Sequence, residues 1–269
     1  MKFIRDLLEA ITRKNIYIYT LLRYVSGRWL YRFAHEPDFS AFKIIKSIIK
    51  PGSIFLDVGA NDGISVLSFN LYDAETPVVS IEPNVHHKAA LDRIQKKKEN
   101  FNYHLLGASS TKSKLKLYTP VYKGFALTSF AAMDPQVIKQ NLPVGLSIKN
   151  IADKVTFSEH EVDVIPLDQL DLSPGIIKID VEGFEHEVVS GLKSTIQKHQ
   201  PIFLIEYNPN SYVKIKEQLT PLGYEAYVYK PGSKTFTIYT GQETCNLFLL
   251  PQLAVKELSN KQPSLIKSN

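Results

Sequence analysis

The run Ile54-Phe55-Leu56-Asp57-Val58 passes without a break into Gly59-Ala60-Asn61-Asp62-Gly63, and few architectures accept that succession. Four apolar residues around one carboxylate suit a short strand buried on both faces. The glycines that follow fit a strand-to-helix turn. The first lets the backbone bend tightly and approach a ligand, and the second lets the next helix pack close to the strand. The same turn occurs in α/β proteins that bind nothing there, so its meaning depends on the rest of the chain.

Strands and helices alternate from that point. Residues 78–81, 102–106, 114–118, 161–165, 176–181 and 202–207 read as strands, and 85–98, 185–199 and 212–219 as helices. Final strands follow at 224–229, 235–239 and 246–250. This order predicts an α/β chain with a Rossmann-like, doubly wound, mostly parallel seven-stranded sheet whose last strands pair antiparallel. The domain is expected over 51–250, with a polar tail over 251–269. Residues 119–160, interrupted by Pro120, Gly124, Pro135, Pro143 and Gly145, read as an irregular insertion on the substrate side. No second compact domain is expected.

Charge is concentrated at one end. Residues 1–50 hold ten Lys/Arg against four Asp/Glu, although the whole chain carries only +5. Nine aromatics, Trp29 among them, are interleaved there with Arg13, Lys14, Arg23, Arg28 and Arg32. Such a segment suits a helical extension or lid packed on the domain, or a peripheral contact with an anionic membrane surface or a lipid-linked acceptor. No nucleic-acid module accompanies the charges, so no nucleic-acid partner is expected. No apolar run approaches ~18 residues, the first residues lack a signal-peptide pattern, and Cys245 is the sole cysteine. These features lead to the expectation of a cytoplasmic protein, peripheral to the inner face of the membrane if the basic segment makes that contact.

In an open α/β sheet, ligands sit beyond the carboxyl ends of the strands. Glu82 closes the second strand, 25 residues after Asp57, where a carboxylate can accept both hydroxyls of a ribose. The turn itself disfavours a dinucleotide, because Asn61 replaces the glycine that admits a pyrophosphate and Asp62 adds negative charge. A cationic nucleoside with an amino-acid tail fits better. S-adenosylmethionine answers that description, with Asp57 near its ammonium end and Glu82 on its ribose. The strongest local pattern is Ile176-Ile-Lys-Ile-Asp-Val-Glu-Gly183, in which alternation predicts Lys178, Asp180 and Glu182 on one face. Unpaired burial of any of them costs several kcal/mol, on the order of 3–5, so they must pair with one another, bind a ligand, or both. Glu206, closing Phe203-Leu-Ile-Glu206, is expected on the same cleft. His86-His87 open a helix and read as solvated, and no metal site is expected.

Taken together, Phe55-Leu-Asp-Val-Gly-Ala-Asn-Asp-Gly63, Ile81-Glu-Pro83, Ile177-Lys-Ile-Asp-Val-Glu-Gly-Phe-Glu185 and Ile205-Glu206 resemble the FkbM-type methyltransferases over about residues 50–230. The resemblance implies a class I, S-adenosylmethionine-dependent fold and methyl transfer to a hydroxyl, with relatives acting on macrolides and on sugars of surface or secreted glycans. It implies that Asp57, Gly59, Ala60, Asn61 and Gly63 cradle the methionine part. Glu82, with Pro83 and Asn84, would serve the ribose, and Gly107 and Ala108 the adenine. Lys178, Asp180, Glu182 and Glu206 would line the reacting end. Asp62 belongs to the same turn but stands where many relatives have an uncharged residue.

The expected reaction is an in-line displacement in which an acceptor oxygen attacks the sulfonium methyl while Glu182 or Glu206 takes the hydroxyl proton and Lys178 orients the pair. The acceptor class is a sugar in a glycan, a glycolipid or a small metabolite. Three other readings remain at this point: a metal-assisted methyltransferase using Asp180, Glu206 and Asn208, an NAD-dependent oxidoreductase, and a non-catalytic scaffold retaining a nucleoside pocket.

Overall fold

The structure is a computed structural model and describes residues 40–146 and 148–267 together with Asn15. The expected helical extension over residues 1–50 therefore lies mostly outside the described residues. Its described end is the short helix Phe42–Ile45, running on as a 3-10 turn over Lys46–Ile48. Phe42 packs with Phe55 and Phe69 at ring-centroid separations of 5.5 and 5.3 Å. Full burial of such a side chain contributes ~1.5–3 kcal/mol, reason enough for this turn to stay on the sheet.

The strands, in chain order, are β1 (Ile54–Val58), β2 (Val78–Ile81), β3 (Phe101–His104), β4 (Gly107–Ala108), β5 (Ser113–Tyr122), β6 (Phe125–Ala126), β7 (Thr156–Ile165), β8 (Pro174–Ile179), β9 (Ile202–Glu206), β10 (Tyr224–Lys230), β11 (Thr235–Ile238), β12 (Asn246–Pro251) and β13 (Ile266–Lys267). Nine form one sheet in the order β13-β11-β10-β12-β9-β8-β1-β2-β3. From β3 to β9 all neighbours are parallel, and β12 enters antiparallel between β9 and β10. The seven strands from β3 to β10 form the expected Rossmann-like, mostly parallel α/β sheet. Two further strands extend the edge. Residues 251–269, expected as a polar tail, contain the helix Gln252–Lys261, whose Leu258 is fully buried, and strand β13, which pairs with β11.

The chain runs outward from β1 through β2 to β3, then returns to lay β8 and β9 on the other side. The strand order therefore reverses between β1 and β8, the place where such sheets bind ligands. Asp57 and Lys178 face each other in register at that switch. Alternation along β1 sends Phe55 into one buried layer, with Val66, Phe69 and Ile176, and sends Leu56 and Val58 into the other, with Ile177, Ile179 and Val188.

Two expectations about irregularity change. The single helix over 185–199 is two, Glu185–Ser190 and Lys193–His199, broken at Gly191. A Cβ at Gly191 would run into the carbonyl of Ser109, and Asp168 caps the second helix by accepting from the backbone N–H groups of Ser194 and Thr195 at 2.9 Å each. Residues 119–160, expected as an irregular insertion within one domain, belong to a second compact unit that takes in 114–162. Its core gathers Tyr122, Leu127, Ile138, Leu142, Leu146 and Ile151, and its helix Pro135–Gly145 carries Asp134 as N-cap, Pro135 at its first turn and Pro143 inside. Lys114–Glu161 and Lys116–Glu159 link β5 to β7 at 2.8 and 2.9 Å. Among the described residues no helix is long and apolar enough to cross a membrane.

Candidate active site

At the switch point, Asp57 is fully buried. Burial pushes its carboxyl above the usual range, opposed by the Lys178 ammonium and by hydrogen bonds from Ser65 and Ser80. Ser80 Oγ donates to Asp57 Oδ2 at 3.3 Å, while Oδ1 accepts no hydrogen bond and lies 3.6 Å from Lys178 Nζ. Lys178 also lies 3.1 Å from Asp180 Oδ2 and donates to the Gly59 carbonyl at 3.1 Å. One ammonium thus ties together the tips of β1 and β8 and the first residue of the turn.

The turn needs its glycines. Gly59 and Gly63 have φ of +80° and +77°, and Asn61 is also left-handed at +51°. A Cβ at Gly59 would meet the Asp180 carbonyl oxygen, and one at Gly63 would meet Ile94. Ala60 is buried behind them. Glu82 braces the same turn from β2: its Oε2 accepts from Asn61 N–H at 2.8 Å and its Oε1 from Asn84 N–H at 2.7 Å. Burial raises its carboxyl, opposed by His87 and by those two donors. Asn84 in turn caps the following turn, accepting from His86 N–H at 3.1 Å, with half-buried Pro83 between the two acceptors.

The reading of His86-His87 as a solvated pair holds for His86 only. His87 is 2% exposed, and its Nδ1 lies 2.6 Å from Asp62 Oδ1. The reason is geometric: a 3-10 turn over Val85–His87 points one histidine out and the other beneath the glycine turn. Asp62, the odd acid of the turn, therefore has a protein partner.

At the reacting end, strand β8 stops at Ile179, and Glu182 has φ of +54° followed by Gly183 at +97°. Strict alternation does not reach Glu182, which is placed by this left-handed turn instead. Asp180 and Glu182 nevertheless gather around Glu206 at the tip of β9: burial, repulsion by Asp180 and Glu182, and a hydrogen bond with Asp180 push the Glu206 carboxyl up to about 10. Glu206 and its acidic neighbours thus share a proton at neutral pH. A fourth acid joins them. Glu185 is fully buried; its Oε1 accepts from Gly183 N–H at 2.8 Å and its Oε2 accepts no hydrogen bond. Sequence reasoning gave Glu185 no role, although 185, 188 and 189 share the inward face of a helix and signal its burial.

Three sequence candidates lie outside this network. Gly107 and Ala108 form β4, parallel to Val164 and Ile165, and Ala108 belongs to the same buried layer as Val58 and Ile81. Asn208 caps the helix Pro209–Leu219, its Oδ1 accepting from Asn210 and Ser211 N–H, so that oxygen is already engaged and does not suit a metal ligand. Pro209 is simply the first residue of that helix.

The profile of the methyltransferase FkbM domain matches residues 57–226, well over half of the chain, and covers every acid and glycine of the site. The chain belongs to the FkbM methyltransferase family. Among solved structures, a methyltransferase FkbM from Methylobacillus flagellatus superposes with a TM-score of 0.50 at 16% identity, covering 81% of this chain and 49% of that one. This chain therefore spans about half of that protein's length. A SAM-dependent O-methyltransferase from Thermotoga maritima gives a TM-score of 0.39 at 12% identity, covering 81% and 66% of the two chains. No protein with a curated description matches the sequence significantly.

The residues present fit S-adenosylmethionine. Each oxygen of Glu82 accepts one backbone N–H and keeps lone-pair capacity for a ribose hydroxyl, the Gly59 turn is packed against the Asp180 carbonyl at the switch point, and the buried Asp57 Oδ1 accepts no hydrogen bond from the protein.

Proposed function

We propose that this FkbM-family protein transfers a methyl group from S-adenosylmethionine to a hydroxyl oxygen, on a sugar of a glycan, glycolipid or small metabolite. The observation that carries the reading is the charge balance at the strand tips: Asp57, Glu82, Asp180, Glu182 and Glu206 converge there, and Lys178 is already held by Asp57, Asp180 and the Gly59 carbonyl. Such a site favours a cationic ligand over a phosphorylated one.

When bound, the cofactor supplies a methyl group on a positively charged sulfur. The chain's own residues then have three tasks. Asp57, the glycine turn and Glu82 hold and orient the nucleoside and its amino-acid end. Lys178 fixes Asp57, Asp180 and Gly59 relative to one another, a positioning role. Glu182 takes the proton of the acceptor hydroxyl, since the left-handed turn after β8 sets it at the edge of the acidic cluster around Glu206. Holding the acceptor oxygen at near-attack distance contributes most, ~7–11 kcal/mol of the barrier, and the base a further ~10²–10⁴ in rate.

A sugar acceptor is supported by what lies beside Glu206. It shares the wall of a small cavity with Tyr207 and Tyr212, and Tyr207, Tyr212 and Tyr239 pack with ring centroids 5.4–5.7 Å apart. Aromatic faces at the ligand edge suit the apolar face of a pyranose ring. The test is incubation with methyl-labelled cofactor and separate glycan, glycolipid and small-metabolite fractions. Label in a base-stable ether on a sugar supports the reading; label found only on protein, nucleic acid or nitrogen overturns it.

A further inference from the structure

Asp62 and His87 have no role in the reaction just described, yet they form the shortest described contact between the two loops on which the nucleoside would rest. Asp62 lies in the turn after β1, and His87 in the 3-10 turn after β2. The two are 25 residues apart, and their Oδ1 and Nδ1 atoms are 2.6 Å apart. An ionised carboxylate can only accept, so the imidazole donates.

The placement of the pair is informative. His87 is 2% exposed, whereas Asp62 keeps 39% of its side chain accessible, so the contact ties a solvent-facing turn to a fixed interior point. The carbonyl of Asn84 accepts from His87 N–H at 3.0 Å, and the Asn84 N–H donates to Glu82, so the imidazole and the ribose-side carboxylate are set by one short segment. From the other direction, Asn61 is left-handed and donates its N–H to Glu82. Asn61 and Asp62 are thus both anchored to the β2 loop, one through Glu82 and the next through His87.

We infer that His87 is a positioning residue for the cofactor: by holding Asp62 it locks the glycine turn onto the Glu82 loop, fixes the gap between them, and turns the Asp62 carboxylate away from the ligand. The inference rests on the nucleoside reading of this site. A preformed gap removes the ordering cost that a loose turn would impose on binding. The lock therefore acts on affinity, not on the chemical step. It also explains how the family's glycine turn tolerates an acid at position 62: the charge is taken up by a buried donor.

The test is a double-mutant cycle read by calorimetric titration of S-adenosylhomocysteine into the full chain, using wild type, Asp62→Ala, His87→Phe and the double variant. Each single change is expected to weaken binding about tenfold, the scale of one charge-assisted hydrogen bond, and the double variant by no more than either alone. With any active acceptor, KM for the cofactor rises while kcat at saturation stays within about twofold. Losses that add, or single variants that bind as tightly as wild type, overturn the inference while leaving the nucleoside site standing. No binding by wild type overturns both. Should buried His87→Phe fail to fold, Asp62→Asn against Asp62→Ala decides: Asn keeps an acceptor oxygen and is expected to retain affinity within about threefold of wild type, and equal affinities of the two variants overturn the lock.

Discussion

Asp57 and Glu82 sit at the tips of β1 and β2, Glu182 and Glu206 at the ends of β8 and β9, and the protein treats the two pairs in opposite ways. The first pair is furnished with donors: Ser80 and Lys178 for Asp57, and the N–H groups of Asn61 and Asn84 for Glu82. The second pair is surrounded by like charge. Asp180, Glu182 and Glu185 all raise the Glu206 carboxyl, and the Lys178 ammonium lies 3.1 Å from Asp180. A region whose acids are held by donors of the fold, with one buried oxygen of Asp57 still unbonded, is preorganised for binding. A region whose acids repel one another stores a proton and stands ready to exchange it.

The largest effect expected from breaking this contrast is on turnover. Glu182→Gln removes the proton acceptor and should lower kcat by about 10²–10⁴ with S-adenosylhomocysteine affinity within a few-fold of wild type, measured by single-turnover methyl transfer and calorimetry. An unchanged kcat removes Glu182 as the base. Next in size is Glu82→Ala, which strips the acceptor from two backbone donors: stability should fall by about 2–4 kcal/mol in urea titrations, with affinity lost in parallel.

Glu206→Gln sharpens the comparison, because glutamine imitates the protonated acid. The folded chain keeps the Glu206 proton up to about pH 10, while an unfolded chain releases it in the ordinary carboxylate range, so the folded state binds more protons in between. The stability this proton confers is complete at acid pH and is lost as pH rises through that window, with a slope of up to about 1.4 kcal/mol per pH unit. Urea titrations from pH 5 to 9 should show that slope in wild type and a flatter one in Glu206→Gln, with kcat at pH 7 within about tenfold. Equal slopes remove the stored proton. The smallest effect belongs to Lys116→Ala in the second unit, where losing an exposed pair with Glu159 should leave the urea midpoint indistinguishable from wild type.

The same contrast explains what was legible in the sequence. Apolar runs ending in acids marked β1, β2, β8 and β9, because a buried strand must be apolar until it reaches the ligand edge; Asp57, Glu82, Asp180 and Glu206 could be placed on that ground alone. Glu182 was placed near its neighbours for a partly wrong reason, since alternation stops at Ile179 and a left-handed turn takes over. His87 was missed because two adjacent histidines at a helix start look alike, and only the 3-10 geometry separates them. The break at Gly191 depends on Ser109, more than eighty residues away in sequence, which no local period can report. The core over 114–162 was hidden for a similar reason: its prolines begin and interrupt a real helix, and its apolar residues meet only once the strands pair.

The central claim is that acids at neighbouring strand tips select a cationic sulfonium nucleoside. Its most direct measurement is calorimetric titration of the full chain with S-adenosylmethionine and, separately, with NAD at the same low ionic strength. The account predicts saturable one-to-one binding of S-adenosylmethionine, weakened by salt, and no heat from NAD. Uptake of NAD with none of S-adenosylmethionine, or no uptake of either by folded protein, contradicts it.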